Sequence, residues 1–283
     1  MEMIYKKNRN AIICGNCVEV MEKFPSDKVD LVVTSPPYDN LRDYKGYAFN
    51  YQDVIKSLYR VIKSGGVVVW IVGDASIDRS ETGSSFKHVL YFKEIGFNLH
   101  DTMIYQKYGF RLPSTQAHAR YHQGFEFMFV FSKERVKTFN PICDRNVADS
   151  GNIKRKSERK KSGELVYSEK KKRGKNGEYV SMYPRNANLD KHIIGKRTNV
   201  WQYFSGGSAT KDKETYKHPA VFPEKLAEDH ILSWSNPGDL VLDPMCGSGT
   251  VCKMASINKR RFIGIDVSKE YCEIAKERIL KYD

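Results

Sequence analysis

The chain has 283 residues, 40% of them hydrophobic, which suffices for one large α/β domain or one domain with a sizeable insertion. No apolar run approaches the ~20 residues of a membrane span, and residues 1–10 are polar and lysine-containing with no apolar h-region, so neither an integral membrane protein nor a secretory signal is expected. The net charge of +13, from 47 basic and 34 acidic residues, favours a polyanionic partner, most obviously nucleic acid.

The six cysteines are scattered, as expected of reduced thiols in a cytosolic protein and not of a disulfide framework. Cys14-x-x-Cys17 has no second pair at ligand spacing to complete four zinc ligands, so a strand-to-turn pair of buried thiols is expected there.

Taken in order, Ala11 to Cys14 is a short apolar strand, Gly15-Asn16 a turn, and Val18 to Phe24 one or two helical turns. Val29 to Val33 is a β-branched run that reads as a buried strand delivering Thr34-Ser35-Pro36-Pro37-Tyr38. Asp39 to Tyr47 reads as a mobile loop. Tyr51 to Ile62 has helical apolar spacing, and Lys63-Ser64-Gly65-Gly66 is expected to cap and break that helix. Val67 to Val72 is expected as a central parallel strand, covered on both faces. Phe86 to Ile95 reads as a helix ended by Gly96, and Leu99 to Gln106 and Phe125 to Phe131 as strands.

Periodicity ends near Phe139. Residues 151–200 hold 15 Lys/Arg against 5 Asp/Glu, and from Ser150 to about Tyr183 there are few large apolar side chains. Such a stretch buries too little surface to offset its own ordering entropy, and its Lys/Arg clusters suit a basic arm following phosphates by counterion release. Order is expected again from Asn199 to Tyr203.

The segment His218-Pro219-Ala220…Phe222-Pro223 leads into a helix from Glu224 to Ser235, with Leu226, Ala227, His230, Ile231 and Trp234 on its apolar face. Leu240 to Leu242 is a strand entering Asp243-Pro244-Met245-Cys246-Gly247-Ser248-Gly249-Thr250. A helix follows, then a strand from Phe262 to Asp266, then a closing helix from Lys269 to Lys281. Alternating strands and helices argue for an α/β sheet with crossovers.

Two stretches carry chemistry. In Thr34 to Tyr38 the prolines stiffen the backbone, a hydroxyl and a carbonyl can accept from a flat amino group, and Tyr38 can stack on the ring bearing it. That suits a nucleobase with an exocyclic NH2. The C-terminal unit of strand, Gly-rich turn, helix, strand and acid suits a nucleotide-like ligand, with Asp266 placed for two ribose hydroxyls. A dinucleotide is the rival ligand, but Gly247-Ser248-Gly249-Thr250-Val251-Cys252 lacks the third glycine of that fingerprint. Asp243 before the glycines suits a ligand with an ammonium group, such as the methionine end of S-adenosylmethionine.

Together and in this order, the two motifs resemble the β-group amino-DNA methyltransferases, which methylate exocyclic nitrogen. The resemblance spans nearly the whole chain, including Gly15-Asn16, the turn and strand at 63–72, the His218 to Pro223 segment and Asp266. It implies a doubly wound, mostly parallel α/β sheet of the Rossmann-like methyltransferase type, in circularly permuted motif order, with a basic target-recognition insertion. The implied domains are 1–139 for the catalytic half, 140–208 for the target-recognition insertion and 209–283 for the cofactor half.

Carried over residue by residue, the resemblance makes Ser35, Pro36, Pro37 and Tyr38 catalytic. Asp243, Gly247, Ser248, Gly249 and Thr250 surround the methionine part of S-adenosylmethionine, and Asp266 takes the ribose hydroxyls. Asn16 stands where the family usually has an acid near the adenine amino group, losing the charge but keeping a carbonyl acceptor. His218 and Phe222 close over the cofactor from the other side. No metal and no cysteine nucleophile is required.

Serine at the first motif position resembles the cytosine-N4 members more often, with adenine N6 the alternative. Methylation of RNA or of a protein side-chain amide, and an inactive DNA-binding protein on the same fold, are the other readings. The implied partners are double-stranded DNA, a second copy of the chain and, within a restriction–modification system, a cognate endonuclease; a solitary or phage-encoded enzyme is the alternative. The expected setting is the cytoplasm of a bacterial, archaeal or phage-infected cell. Arg145, Arg155, Arg185 and Arg197 are candidates for guanine edges, although most such arginines contact phosphates.

Overall fold

Eight strands form the central sheet of the computed structural model, which describes residues 10–37, 49–108, 121, 123–146, 157–162, 164–167, 194–204, 212 and 222–282. In chain order they are β1 (Ala11–Cys14), β2 (Val29–Thr34), β3 (Ile62–Val72), β4 (Asn98–Tyr108), β5 (Phe125–Ser132), β6 (Val200–Phe204), β7 (Leu240–Asp243) and β8 (Arg261–Asp266). Their order across the sheet is β1-β8-β7-β2-β3-β5-β4-β6. β5 runs against its two neighbours, and the other pairings in this sheet are parallel. The fold is therefore the expected doubly wound, mostly parallel sheet. β3, however, is parallel to β2 and antiparallel to β5, so the expectation of a wholly parallel setting for Val67 to Val72 is corrected.

Side chains alternate between two covered faces, as the strand period requires. Val32, Val68, Trp70, Phe131, Leu242 and Ile263 join one core with residues of α1 (Cys17–Glu22), α2 (Tyr51–Val61) and α3 (Ser84–Ile95). Phe92 of α3 stacks on Phe131 at 4.0 Å between ring centroids. The remaining helices are α4 (Glu224–Trp234), α5 (Thr250–Ile257) and α6 (Lys269–Leu280), with α4 packed on α5 and α5 on α6. His230 of α4 meets Met128 of β5 at 3.2 Å, which places α4 over the opposite face. No helix among the described residues is long and apolar enough to cross a membrane.

Two local expectations need correction. Lys63-Ser64-Gly65-Gly66 does end α2, but these residues already belong to β3. The register slips between Val29↔Ile62 and Leu31↔Val67, and Gly65, at φ +78°, takes a main-chain bond from Lys137 and gives one to Lys133. The glycines thus serve an irregular strand start and not a helix-capping loop. Cys14, expected buried, is exposed because it ends the edge strand β1.

The chain divides into two compact units, Met1–Pro141 with Asn199–Asp283, and Ile142–Thr198. Within the span expected as an insertion, Asn140 bonds through its side chain to the Leu232 and Ser235 carbonyls at the end of α4, and β6 is a strand of the main sheet. The second unit contains two antiparallel ladders, Cys143–Asn146 with Ile194–Lys196 and Ser157–Arg159 with Leu165–Tyr167. Arg197 pairs with Asp144 there, and Lys160 with Glu164. Arg155, Arg185, the loop from Asp39 to Tyr47 and most of residues 150–183 lie outside the described residues.

Candidate active site

The strand β2 ends at Thr34 because the next residues, Ser35-Pro36-Pro37, include two that cannot donate to a ladder. Thr34 is fully buried, Ser35 and Pro37 half-buried, and Pro36 buried; Tyr38 lies outside the described residues. On the neighbouring strand β7, Val241 and Leu242 pair with Leu31 and Val32, so the next residue, Asp243, arrives beside the end of β2. The Thr34 hydroxyl donates to Asp243 Oδ1 at 2.8 Å.

This junction is where the strand order reverses. From β2 the chain continues to β3 on one side, and from β7 to β8 on the other. In open α/β sheets the crevice at the carboxyl ends of the strands flanking such a reversal is the usual ligand site. The topology alone therefore brings the Ser-Pro-Pro segment and the Gly-rich turn to one edge.

Two carboxylates line that edge. Burial pushes the Asp243 carboxyl up to about 7; the Thr34 hydroxyl and the Met245 N–H pull it back, and the charge of Asp266 raises it further. Among the described residues, none of the influences on Asp243 is a cation. Asp266 ends β8, with Oδ2 accepting from the Gly247 N–H and Oδ1 from the Ser268 N–H, both at 2.9 Å. Those two amides fix the carboxylate plane. The site therefore suits a ligand that brings positive charge to Asp243 and hydroxyls to Asp266.

The turn itself is strained in the way glycine allows. Gly247 has φ +48° and Gly249 φ +78°, and a Cβ on Gly249 would lie 2.7 Å from Ala275 Cβ of α6. Gly249 precedes the first residue of α5, so the turn delivers the N–H groups of that helix to the edge. Ser248 and Thr250 are buried beside it.

The remaining predicted residues divide. Cys14 pairs with Asp266 in register and the Gly15 N–H bonds the Asp266 carbonyl at 2.9 Å, which brings Asn16 to the same edge. Asn16 is exposed, and its side-chain oxygen caps α1 by accepting from the Val18 N–H at 2.9 Å. Phe222 is half-buried just before α4. His218 lies outside the described residues. Burial holds the Cys17 thiol up at about 11, so that sulfur near the edge is protonated at neutral pH.

Sequence reasoning overlooked Thr34 as the link between the motifs, and it overlooked Arg278 of α6. Arg278 is fully buried and donates to Ser248 and Thr250 of the turn. Its signal was present: it falls on the apolar face of α6, in step with Ile274 and Ala275.

A family model described as DNA methylase, covering N6 and N4 enzymes, matches residues 29–277. A Bacillus amyloliquefaciens protein described as orphan methyltransferase M.BamHII is 52% identical over 257 residues, covering 90% of this chain and 89% of its own length. Among solved structures, the PvuII DNA methyltransferase (cytosine-N4-specific) superposes with a TM-score of 0.65 at 21% identity, covering 95% of this chain and 86% of that one. A complex of M1.HpyAVI with SAM superposes with a TM-score of 0.58 at 23% identity, covering 95% of this chain and 98% of that one.

Proposed function

The chain belongs to the DNA methylase family, of the β-group amino-methyltransferase type, and on that premise we propose that it methylates the exocyclic N4 of a flipped cytosine within a specific DNA sequence. The observation that carries this reading is the Thr34–Asp243 hydrogen bond, which ties Ser35-Pro36-Pro37 to the Gly-rich turn at one edge. S-adenosylmethionine, when bound, supplies a methyl group on a positively charged sulfur. The residues present fit it. Asp243 is a buried carboxylate with no cation offsetting it among the described residues, which suits the ammonium of the methionine end. Asp266, oriented by two amides, suits the ribose hydroxyls.

The target nitrogen is a poor nucleophile because its lone pair is delocalised into the ring. Ser35 Oγ and the Pro36 carbonyl accept its two hydrogens, which turns the nitrogen toward sp3 and directs its lone pair outward. Tyr38 stacks on the base, which leaves the duplex to be reached. Holding the two reactants in line supplies most of the acceleration. The Ser35 hydroxyl is too weak a base to take the proton first, so the proton passes to solvent after the new N–C bond forms.

Serine at position 35 supports cytosine, as does the specificity named for the PvuII enzyme. Adenine N6 is the alternative, because the family includes both types. The basic stretch within Ile142–Thr198 is the part we propose reads the DNA sequence. The orphan description of the Bacillus amyloliquefaciens relative favours a solitary enzyme over one paired with an endonuclease.

The test is direct. The purified chain is incubated with S-adenosylmethionine and plasmid DNA, which is then digested to nucleosides for mass spectrometry. N4-methylcytosine is the expected product. N6-methyladenine would move the target to adenine, and neither product would overturn the reading.

A further inference from the structure

Beside the Gly-rich turn lies a quartet of charges, three buried and Glu224 partly so, that the chemistry above does not use. Lys253 of α5 and Arg278 of α6 are the cations, and Asp212 and Glu224 the anions. Lys253 Nζ meets Asp212 at 2.8 Å and Glu224 at 2.9 Å; Arg278 Nε meets Asp212 at 2.9 Å and Nη2 meets Glu224 at 3.1 Å. Tyr282 donates to the other oxygen of Asp212 at 3.2 Å. The remaining nitrogen of Arg278, Nη1, points at the turn and donates to the Ser248 carbonyl at 2.6 Å, to Ser248 Oγ at 3.1 Å and to Thr250 Oγ1 at 3.1 Å.

Stability alone is a poor reason for this arrangement. The desolvation of buried ions roughly cancels their attraction, and well-packed apolar side chains do as well or better. A leucine or methionine at position 278 would fill the space but could donate nothing to Ser248 or Thr250. Lysine would keep the charge but lack the planar fork that reaches Asp212, Glu224 and the turn at once. The same helix also touches the turn through Ala275, against which Gly249 leaves no room for a Cβ. α6 thus fixes the turn by contact at Gly249 and by directed hydrogen bonds on either side of it.

We propose that Arg278 is a positioning residue for the S-adenosylmethionine site, setting the conformation of the Gly247–Thr250 turn, and that Asp212 in turn fixes the orientation of Arg278. The proposal rests on the reading of this turn as the cofactor site. Burial works against ionised Asp212, yet the hydrogen bonds from Lys253 and Arg278 outweigh it and hold the carboxyl below its ordinary value. Asp212 is therefore ionised at neutral pH, between its two cations. Replacing Asp212 by Asn keeps the shape but leaves two buried cations facing one carboxylate.

The test measures S-adenosylmethionine affinity by calorimetry, alongside thermal melts, for the wild-type chain and for Arg278→Lys, Asp212→Asn, Tyr282→Phe and Asp243→Asn. Arg278→Lys and Asp212→Asn are expected to weaken binding about ten- to hundredfold at temperatures where both are fully folded. In turnover assays KM for the cofactor rises by a similar factor while kcat changes little. Tyr282→Phe, the mildest change, is expected to weaken binding a few-fold and carries the test should the others fail to fold. Lower melting temperatures with cofactor affinity within twofold of wild type in every folded variant among Arg278→Lys, Asp212→Asn and Tyr282→Phe would overturn the proposal, leaving the quartet a purely structural brace. If instead the wild type itself fails to bind, or Asp243→Asn binds as tightly as wild type, the reading of the turn as the cofactor site falls, and the proposal with it.

Discussion

Thr34 and Asp243 stand 209 residues apart in the chain and share one buried hydrogen bond of 2.8 Å. The bond sits where the strand order reverses, and each partner precedes a segment of the candidate site: Thr34 the Ser-Pro-Pro turn, Asp243 the Gly-rich turn. Thr34→Val keeps the shape and removes the donor. It is expected to cost about 0.5–1.5 kcal/mol in denaturant unfolding, because the buried Asp243 carboxyl loses one of its two donors. It also removes one of the two bonds that restrain the Asp243 carboxyl, so cofactor binding in the variant should need a higher pH than in wild type.

The pH dependence of binding follows from Asp243 directly. Its carboxyl sits near 7 in the folded chain, above its ordinary 3.8. Its contribution to the stability of the ligand-free protein is therefore present below about pH 4 and lost as pH rises through 7. Binding runs the other way. A cationic ligand prefers the carboxylate, so affinity for S-adenosylmethionine should rise through pH 7 and binding should release a proton. Calorimetry in two buffers of different ionisation enthalpy measures that proton, and Asp243→Asn should abolish the linkage. Affinity that is flat from pH 5.5 to 8.5 in the wild type would count against it.

Gly249→Ala places a side chain where φ is +78° and where its Cβ would fall 2.7 Å from that of Ala275. Both the backbone strain and the clash act on the turn. The variant is expected to lose about 1–3 kcal/mol and most of its cofactor affinity. Melting and binding measured on the same preparation check this.

Much of this was legible in the chain. Runs such as Val29–Val33 and Val67–Val72 announce buried strands, because only a strand covered on both faces uses β-branched residues without alternation. Gly-Ser-Gly between an acid and a helix announces a tight ligand turn. What escaped was long-range. Thr34 reads as the first residue of the turn that follows the strand, and only the pairing of β2 with β7 gives it Asp243. Nothing local marks Arg278 and Lys253 as a pair, and only their opposition to Asp212 and Glu224 explains their burial. Strand direction was equally hidden: nothing in Phe125–Ser132 itself records that it runs against β3 and β4.

His230 supplies an acid-sensitive point away from the site. It is fully buried on α4 against Trp201 and Met128, and its Nδ1 has no hydrogen-bond partner among the described residues. Burial depresses its pKa to about 3, with the Asp229 charge opposing weakly. The neutral ring's stability is thus intact above about pH 6.5 and is lost as pH falls toward 3. Each unit costs about 1.4 kcal/mol, so wild type should lose about 2 kcal/mol between pH 6.5 and 5 that His230→Leu does not lose. Parallel pH series of denaturant melts for the two proteins provide the comparison.

On the proposed function, methyl transfer to an exocyclic amino group in DNA takes place at the edge that Ser35 and Asp243 share. The most direct measurement is single-molecule sequencing with modified-base detection on DNA from cells expressing the intact chain, beside cells expressing Ser35→Ala. A methylated cytosine at one recurrent sequence is expected with the intact chain, and its loss with the variant. Unmodified DNA from cells in which the intact, folded chain still binds S-adenosylmethionine would contradict the proposed function.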